Sequence, residues 1–152
     1  MMLPDASRLA SGGFRRRLLL AWAIGTAAVI GASIVACGGV LIYAIDDPYI
    51  HLAIAENILR GTYGVNLSES SSGSSSIVYP LLMAIFEGAG AGRWGPLFVN
   101  LAAMAASVGL LATFLSEWLR IPDQPRVAAV VFGIGLLFTL NAFALPMTGM
   151  EY

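Results

Sequence analysis

Arg15-Arg16-Arg17, an uncharged run from Leu18 to Tyr43, and then Ala44-Ile45-Asp46-Asp47-Pro48-Tyr49-Ile50-His51 form the stretch whose reading decides the fold. The uncharged run holds 26 residues. As a helix it extends about 39 Å, enough to cross a bilayer with some tilt. A secretory signal has a shorter apolar core and a small-residue cleavage site, so the run reads as a retained anchor, although its alanine-rich stretches leave cleavage open. Three arginines ahead of it put the N-terminus in the cytoplasm. Asp46 and Asp47 therefore emerge on the far side.

Composition bounds the class. The chain is 58% hydrophobic and 11% charged, with a mean hydropathy of +0.80, against roughly a quarter charged in soluble domains. That is the composition of a membrane protein. A net charge of −1 and the lack of any lysine argue against nucleic acid, which needs basic residues clustered on one face. Cys37 is the only cysteine and falls in the first apolar run. Disulfides, zinc clusters and thiol catalysis have no support, and it reads as a packing residue.

Two adjacent carboxylates at a membrane edge lose solvation and repel each other, so they are costly unless they bind a cation, a hydroxyl or a partner helix. The plainer reading makes Asp47 a helix cap and Asp46 a marker of the water interface. Asp47-Pro48 is a helix start, with an acceptor at the cap and a residue that needs no amide at the first helical position. The helix is expected from Pro48 to Arg60, with Gly61 ending it. Ile50, Leu52, Ile54, Ala55, Ile58 and Leu59 share one face; Tyr49, Glu56, Asn57 and Arg60 share the other, as in an amphipathic helix lying at the interface. His51 falls in the apolar arc one turn after Asp47, so it is either a packing histidine or a partner of the acid pair.

Gly61 to Glu69 reads as turns, and Ser70 to Ser76 is a serine tract broken by Gly73, either a linker or a mobile loop over a site. Ile77 to Phe86 is apolar for 10 residues, about 15 Å, too short to cross. Glu87 and the glycines to Gly92 break it, and Trp94 sits where an interfacial aromatic belongs. Pro96 to Leu119 supplies a second span. Residues 120–126 form a polar turn, and Val127 to Leu145, 19 residues, a third span of about 28 Å. With three spans Arg8, Arg15, Arg16, Arg17, Arg120 and Arg126 face the cytoplasm, while Asp46, Asp47, Glu56, Glu69, Glu87 and Glu151 face outside, the arrangement that the positive-inside rule favours. The expectation is an all-α, multi-pass protein of the cell (plasma) membrane. Its parts are a cytoplasmic N-terminus (1–17), spans at 18–43, 96–119 and 127–145, an external loop at 44–95 with juxtamembrane amphipathic helices, a cytoplasmic turn at 120–126 and an external segment at 146–152.

The residues from Asp46-Asp47-Pro48 through His51, Asn57, Gly61 and Asn66, then Glu69, the serines, Tyr79-Pro80 and finally Thr148-Gly149-Met150-Glu151, resemble the N-terminal part of membrane glycosyltransferases of the GT-C fold. Relatives in that family include protein mannosyltransferases, oligosaccharyltransferase and arabinofuranosyltransferases. The likeness covers nearly the whole chain but only the first part of such an enzyme. In that family an acidic motif follows the first helix, and a second acidic position follows the third. Here these correspond to Asp46-Asp47 and Glu151. The resemblance implies a partial GT-C fold and transfer of a sugar, with inversion, from a polyprenyl-phosphate donor to a hydroxyl of a glycan or protein acceptor. It further implies catalytic roles for Asp46, Asp47 and Glu151 and substrate contacts from His51, Glu69 and Tyr79. The chain departs from the family in ending at Tyr152 and in having Tyr152 after Glu151. A piece with three spans is expected to need the remainder of a parent protein for activity.

The chemistry suits these residues. A carboxylate within reach can take the proton of an acceptor hydroxyl as the sugar bond breaks. A lipid phosphate leaves readily but needs positive charge, from Arg60, Arg93 or a divalent cation. Each arginine is equally an interface anchor, and Arg60 a partner for Glu56 one turn earlier. Asp46, Asp47 and Glu151 offer the oxygen ligands that magnesium or manganese take. Two other classes stay open: a transporter fragment, which normally buries its acids mid-span, and a non-catalytic membrane scaffold or assembly subunit.

Overall fold

The computed structural model describes residues 12–67, 76–122 and 125–149. Among them the regular structure is helical: α1 (Gly12–Ala36), α2 (Asp47–Leu59), α3 (Val78–Gly88), α4 (Gly95–Trp118) and α5 (Val127–Thr139), with 3-10 turns at Gly92–Trp94 and Leu145–Thr148. Two helical stretches, Gly12–Ala36 and Gly92–Trp118, are long and apolar enough to cross a membrane. Only 17% and 22% of their most apolar windows are buried, whereas the core helix of a soluble domain buries most of its apolar surface. Ile24, Leu110, Phe114 and Trp118 stand more than half exposed, the pattern expected of side chains that face lipid.

All five helices end the same way. At α1 the Gly39 amide donates to the Ile34 carbonyl (2.8 Å) and Gly38 to Val35 (3.2 Å), with Gly38 in the left-handed region at φ 68°. This paired closure satisfies carbonyls that the helix leaves over. It repeats after α2 and α3 around Gly61 and Gly90, after α4 around Arg120, and after α5 around Asn141. The Gly38-Gly39 pair thus stops the first helix at Ala36, seven residues short of the expected Tyr43. Likewise Asn141 ends α5 at Thr139, so the apolar run from Val127 to Leu145 is not one helix. At 13 residues, about 20 Å, α5 falls short of the roughly 30 Å hydrocarbon core.

The chain divides into two compact units, 1–32 with 102–144 and 33–101 with 145–152. In the first, Phe14, Leu18, Trp22 and Thr26 form a buried stripe along α1, spaced one turn apart. Close approach is made with glycine: a side chain at Gly133 would begin 3.0 Å from Leu18 and 3.1 Å from Phe14. The Trp22 indole N–H donates to the Ala142 carbonyl at 2.9 Å, in the turn that follows α5.

In the second unit α2 packs on α3. Ala55, Tyr79, Met83 and Ala84 are buried together, with Leu52, Ile58, Leu82, Phe86 and Val99 around them. The apolar arc of α2 thus meets α3 through Leu52, Ala55 and Ile58. Two members of the expected faces change sides. Leu59 is 54% exposed, whereas Asn57 is buried and donates to the carbonyls of Gly64 (2.8 Å) and Val65 (3.0 Å). The chain that turns back at Gly61 needs donors for its carbonyls, and an amide at the end of α2 supplies them. As expected from its length, α3 (11 residues, about 16 Å) is too short to cross.

Candidate functional site

The acid pair opens α2, one residue earlier than expected. The Asp46 carbonyl accepts from the amides of Tyr49 (2.9 Å) and Ile50 (3.4 Å), so Asp46 occupies the N-cap and Asp47 the first helical position, with Pro48 next. The Asp46 side chain makes no cap bond. The expectation that Asp47 caps the helix is therefore corrected: the Tyr49 and Ile50 amides, from which an Asp47 side chain at the cap would accept, are taken by the Asp46 carbonyl. Asp46 is exposed and Asp47 half-buried. As an acid in the first turn, Asp47 is favoured by the positive end of the helix.

A set of tyrosines holds the segments on either side of this pair. The Tyr43 hydroxyl donates to the Arg93 carbonyl (2.7 Å) and accepts from the Leu97 amide (3.0 Å), tying the strand of chain ahead of the acids to the start of α4. Its own amide donates to the Tyr49 hydroxyl at 2.9 Å. Burial, with a smaller contribution from the neighbouring Tyr49, pushes the Tyr43 phenol up to about 12. It therefore stays a neutral donor throughout the physiological range. Nothing in the sequence singled out Tyr43 beyond its place at the end of an apolar run, where aromatic residues with a polar tip are common.

The chain that precedes Glu151 is drawn to the same place. The Ala44 amide donates to the Met147 carbonyl (3.1 Å), and the buried Tyr79 hydroxyl donates to the Gly149 carbonyl (2.9 Å). Gly149 adopts φ 68°, and a side chain there would begin 2.5 Å from Pro48 and 2.8 Å from Tyr43. Only glycine fits both the backbone and the space. His51 is buried, 3% exposed, with its ring edge-to-face on Tyr79 at 5.0 Å. Asp46-Asp47-Pro48, His51, Tyr79 and Gly149, spread over a hundred residues, thus converge in one unit.

The remaining expected site residues are less central. Arg60 is bound to Glu56 at 2.7 Å, both about half exposed, as their spacing of one turn predicts. Arg93 is exposed, in the 3-10 turn whose backbone Tyr43 anchors. Glu69, most of the serine tract and Glu151 lie outside the described residues. Among the described residues no three His, Cys, Asp or Glu side chains group closely enough to hold a metal. Compared with protein-family models, curated proteins and solved structures, the chain matches none.

Proposed function

We propose that this chain is the N-terminal part of an integral-membrane glycosyltransferase of the GT-C type, using a polyprenyl-phosphate sugar on the non-cytoplasmic side. One observation carries the reading. The segment that leads toward Glu151 is hydrogen-bonded to Ala44 and Tyr79, and at Gly149 it packs against Pro48 at the start of α2; the resemblance puts its second acidic position just after this segment.

In the proposed reaction the acceptor oxygen bonds to the anomeric carbon, the bond from that carbon to the phosphate oxygen breaks, and polyprenyl phosphate leaves. Asp46, exposed and with no cap bond to keep, takes the hydroxyl proton as general base. Asp47 is the structural acid of the pair, and Glu151 orients the acceptor or shares a cation with them. Magnesium or manganese fits such carboxylate oxygens and would offset the phosphate charge. Arg93 is the better placed cation for the phosphate, since Glu56 already holds Arg60. Tyr79 acts through Gly149, as the residue that positions the second acidic segment, and His51 backs it.

The proposed topology has three crossings with a cytoplasmic N-terminus. The third would use α5 and the turns after it, and the bond from Trp22 to the Ala142 carbonyl supports a broken helix there, because freed carbonyls inside a membrane need protein partners. In a Cys37→Ser background, single cysteines placed at 76 and 122 should be labelled by an impermeant maleimide from outside and inside respectively. Labelling of position 122 from outside would reject the topology. For the function, membranes containing the longest reading frame that encodes this chain are supplied with radiolabelled polyprenyl-phosphate mannose or arabinofuranose. Transfer of label to glycan or protein is expected, and its absence with every donor would reject the reading.

A further inference from the structure

We propose that one face of α1 binds an anionic phospholipid, with the phosphate on Arg15 and Arg16 and the upper acyl chain along Leu19, Leu20 and Ala23. These residues, with Gly12 and Trp22, line one shallow depression in the first unit. Their spacing places them on a single helix face, because residues three and four apart stand above one another. From Arg16 to Ala23 the helix rises about 10 Å, the distance from a headgroup phosphate to several methylenes below it.

The chemistry matches the two ends of a lipid. Arg15 and Arg16 are exposed, and among the described residues neither pairs with a carboxylate; the ion pair found there joins Arg60 and Glu56. A guanidinium makes planar, paired hydrogen bonds to phosphate oxygens. Below the arginines, Leu20 is 51% and Ile24 71% exposed, and apolar side chains there have lipid as their natural cover. Gly12 leaves the arginine end open: a side chain added there would meet nothing within 4 Å. Charge complementarity therefore selects an anionic phospholipid over a zwitterionic one. Arg17 carries the same charge but points about 200° around the helix from Arg15, which makes it an internal control.

The purified chain in neutral detergent is given equimolar phosphatidylglycerol and phosphatidylcholine of identical acyl chains, and bound lipid is read by native mass spectrometry. Phosphatidylglycerol adducts should dominate, and the preference should shrink as salt rises. Arg15→Gln and Arg16→Gln should each lower it about fivefold, equivalent to about 1 kcal/mol, while Arg17→Gln lowers it far less. Circular dichroism shows whether each variant keeps its helices, and the salt series on the unmodified chain tests the idea without any variant. Three outcomes would overturn it: equal binding of the two lipids, an Arg17→Gln effect as large as that of Arg15→Gln, or lipid binding that appears only after residues 1–11 are deleted, which would make the chain's own N-terminus the occupant.

Discussion

The two units of this chain are held together by different means. The unit formed by residues 1–32 and 102–144 relies on apolar helices, close approach at glycines such as Gly133 and, among the described residues, one long-range side-chain bond, from Trp22 to Ala142. In the unit formed by residues 33–101 and 145–152, Tyr43, Tyr49, Asn57 and Tyr79 each tie side chain to backbone across turns. Helix length explains the difference. A long helix satisfies its own backbone and can face lipid with little further help. Short helices joined by irregular chain leave amides and carbonyls over, and hydroxyl and amide side chains must take them. The second arrangement also fixes the positions of polar groups.

The largest effect on this contrast should come from Gly149→Val. It forces a β-branched residue into the left-handed region and into Pro48 and Tyr43, a cost on the order of 3 kcal/mol. Hydrogen exchange of the α2 and α3 amides in detergent should accelerate while that of α1 does not. Equal acceleration in both units would break the distinction.

A smaller effect is expected from pH. The Tyr43 pKa is raised in the folded state, so the neutral phenol is the form that folding favours. Its contribution is complete below the unfolded value near 10 and is lost as pH rises through about 12. The loss should be on the order of 2 kcal/mol, confined to the second unit. Tyr43→Phe should remove this pH dependence and, by stranding the Leu97 amide and the Arg93 carbonyl, lower stability at neutral pH. An unchanged alkaline profile in Tyr43→Phe would contradict the assignment.

The smallest effect should be that of Trp22→Phe in the first unit, which keeps the ring and deletes the bond to Ala142. Hydrogen bonds between membrane helices average about 0.6 kcal/mol. A loss of several kcal/mol in a detergent unfolding titration would mean that the first unit is also held mainly by polar ties.

Much of this was legible in the sequence because local rules decide it. Pro48 marked the start of α2, Gly61 its end, the Glu56-Arg60 spacing an ion pair, and the length of the apolar run after Ser76 a helix too short to cross. Where the reading missed, the cause lies in backbone closure or distant partners. Gly38-Gly39 stops α1 inside an uncharged run that hydropathy alone extends to Tyr43. Asn141 does the same within the apolar run after Val127, and Arg120 takes a left-handed conformation usually left to glycine. Asn57 falls on the polar face by helical angle, yet it is buried because chain seven and eight residues later returns to its amide. Tyr79 and Gly149 meet across 70 residues, a separation at which no local spacing carries a signal.

The most direct test of the proposed site compares Asp46→Asn with Asp47→Asn in the longest reading frame containing this chain, measuring turnover with the polyprenyl-phosphate sugar that the unmodified enzyme accepts. Either change preserves shape, and neither removes a side-chain cap bond from Asp46, since none exists. Asp46→Asn should lower turnover on the order of 10²-fold or more, as loss of a general base does, with expression and α-helix content unchanged and Asp47→Asn costing less. The reverse order would exchange the roles of the two acids. Full turnover in both variants would contradict the glycosyltransferase reading of the motif.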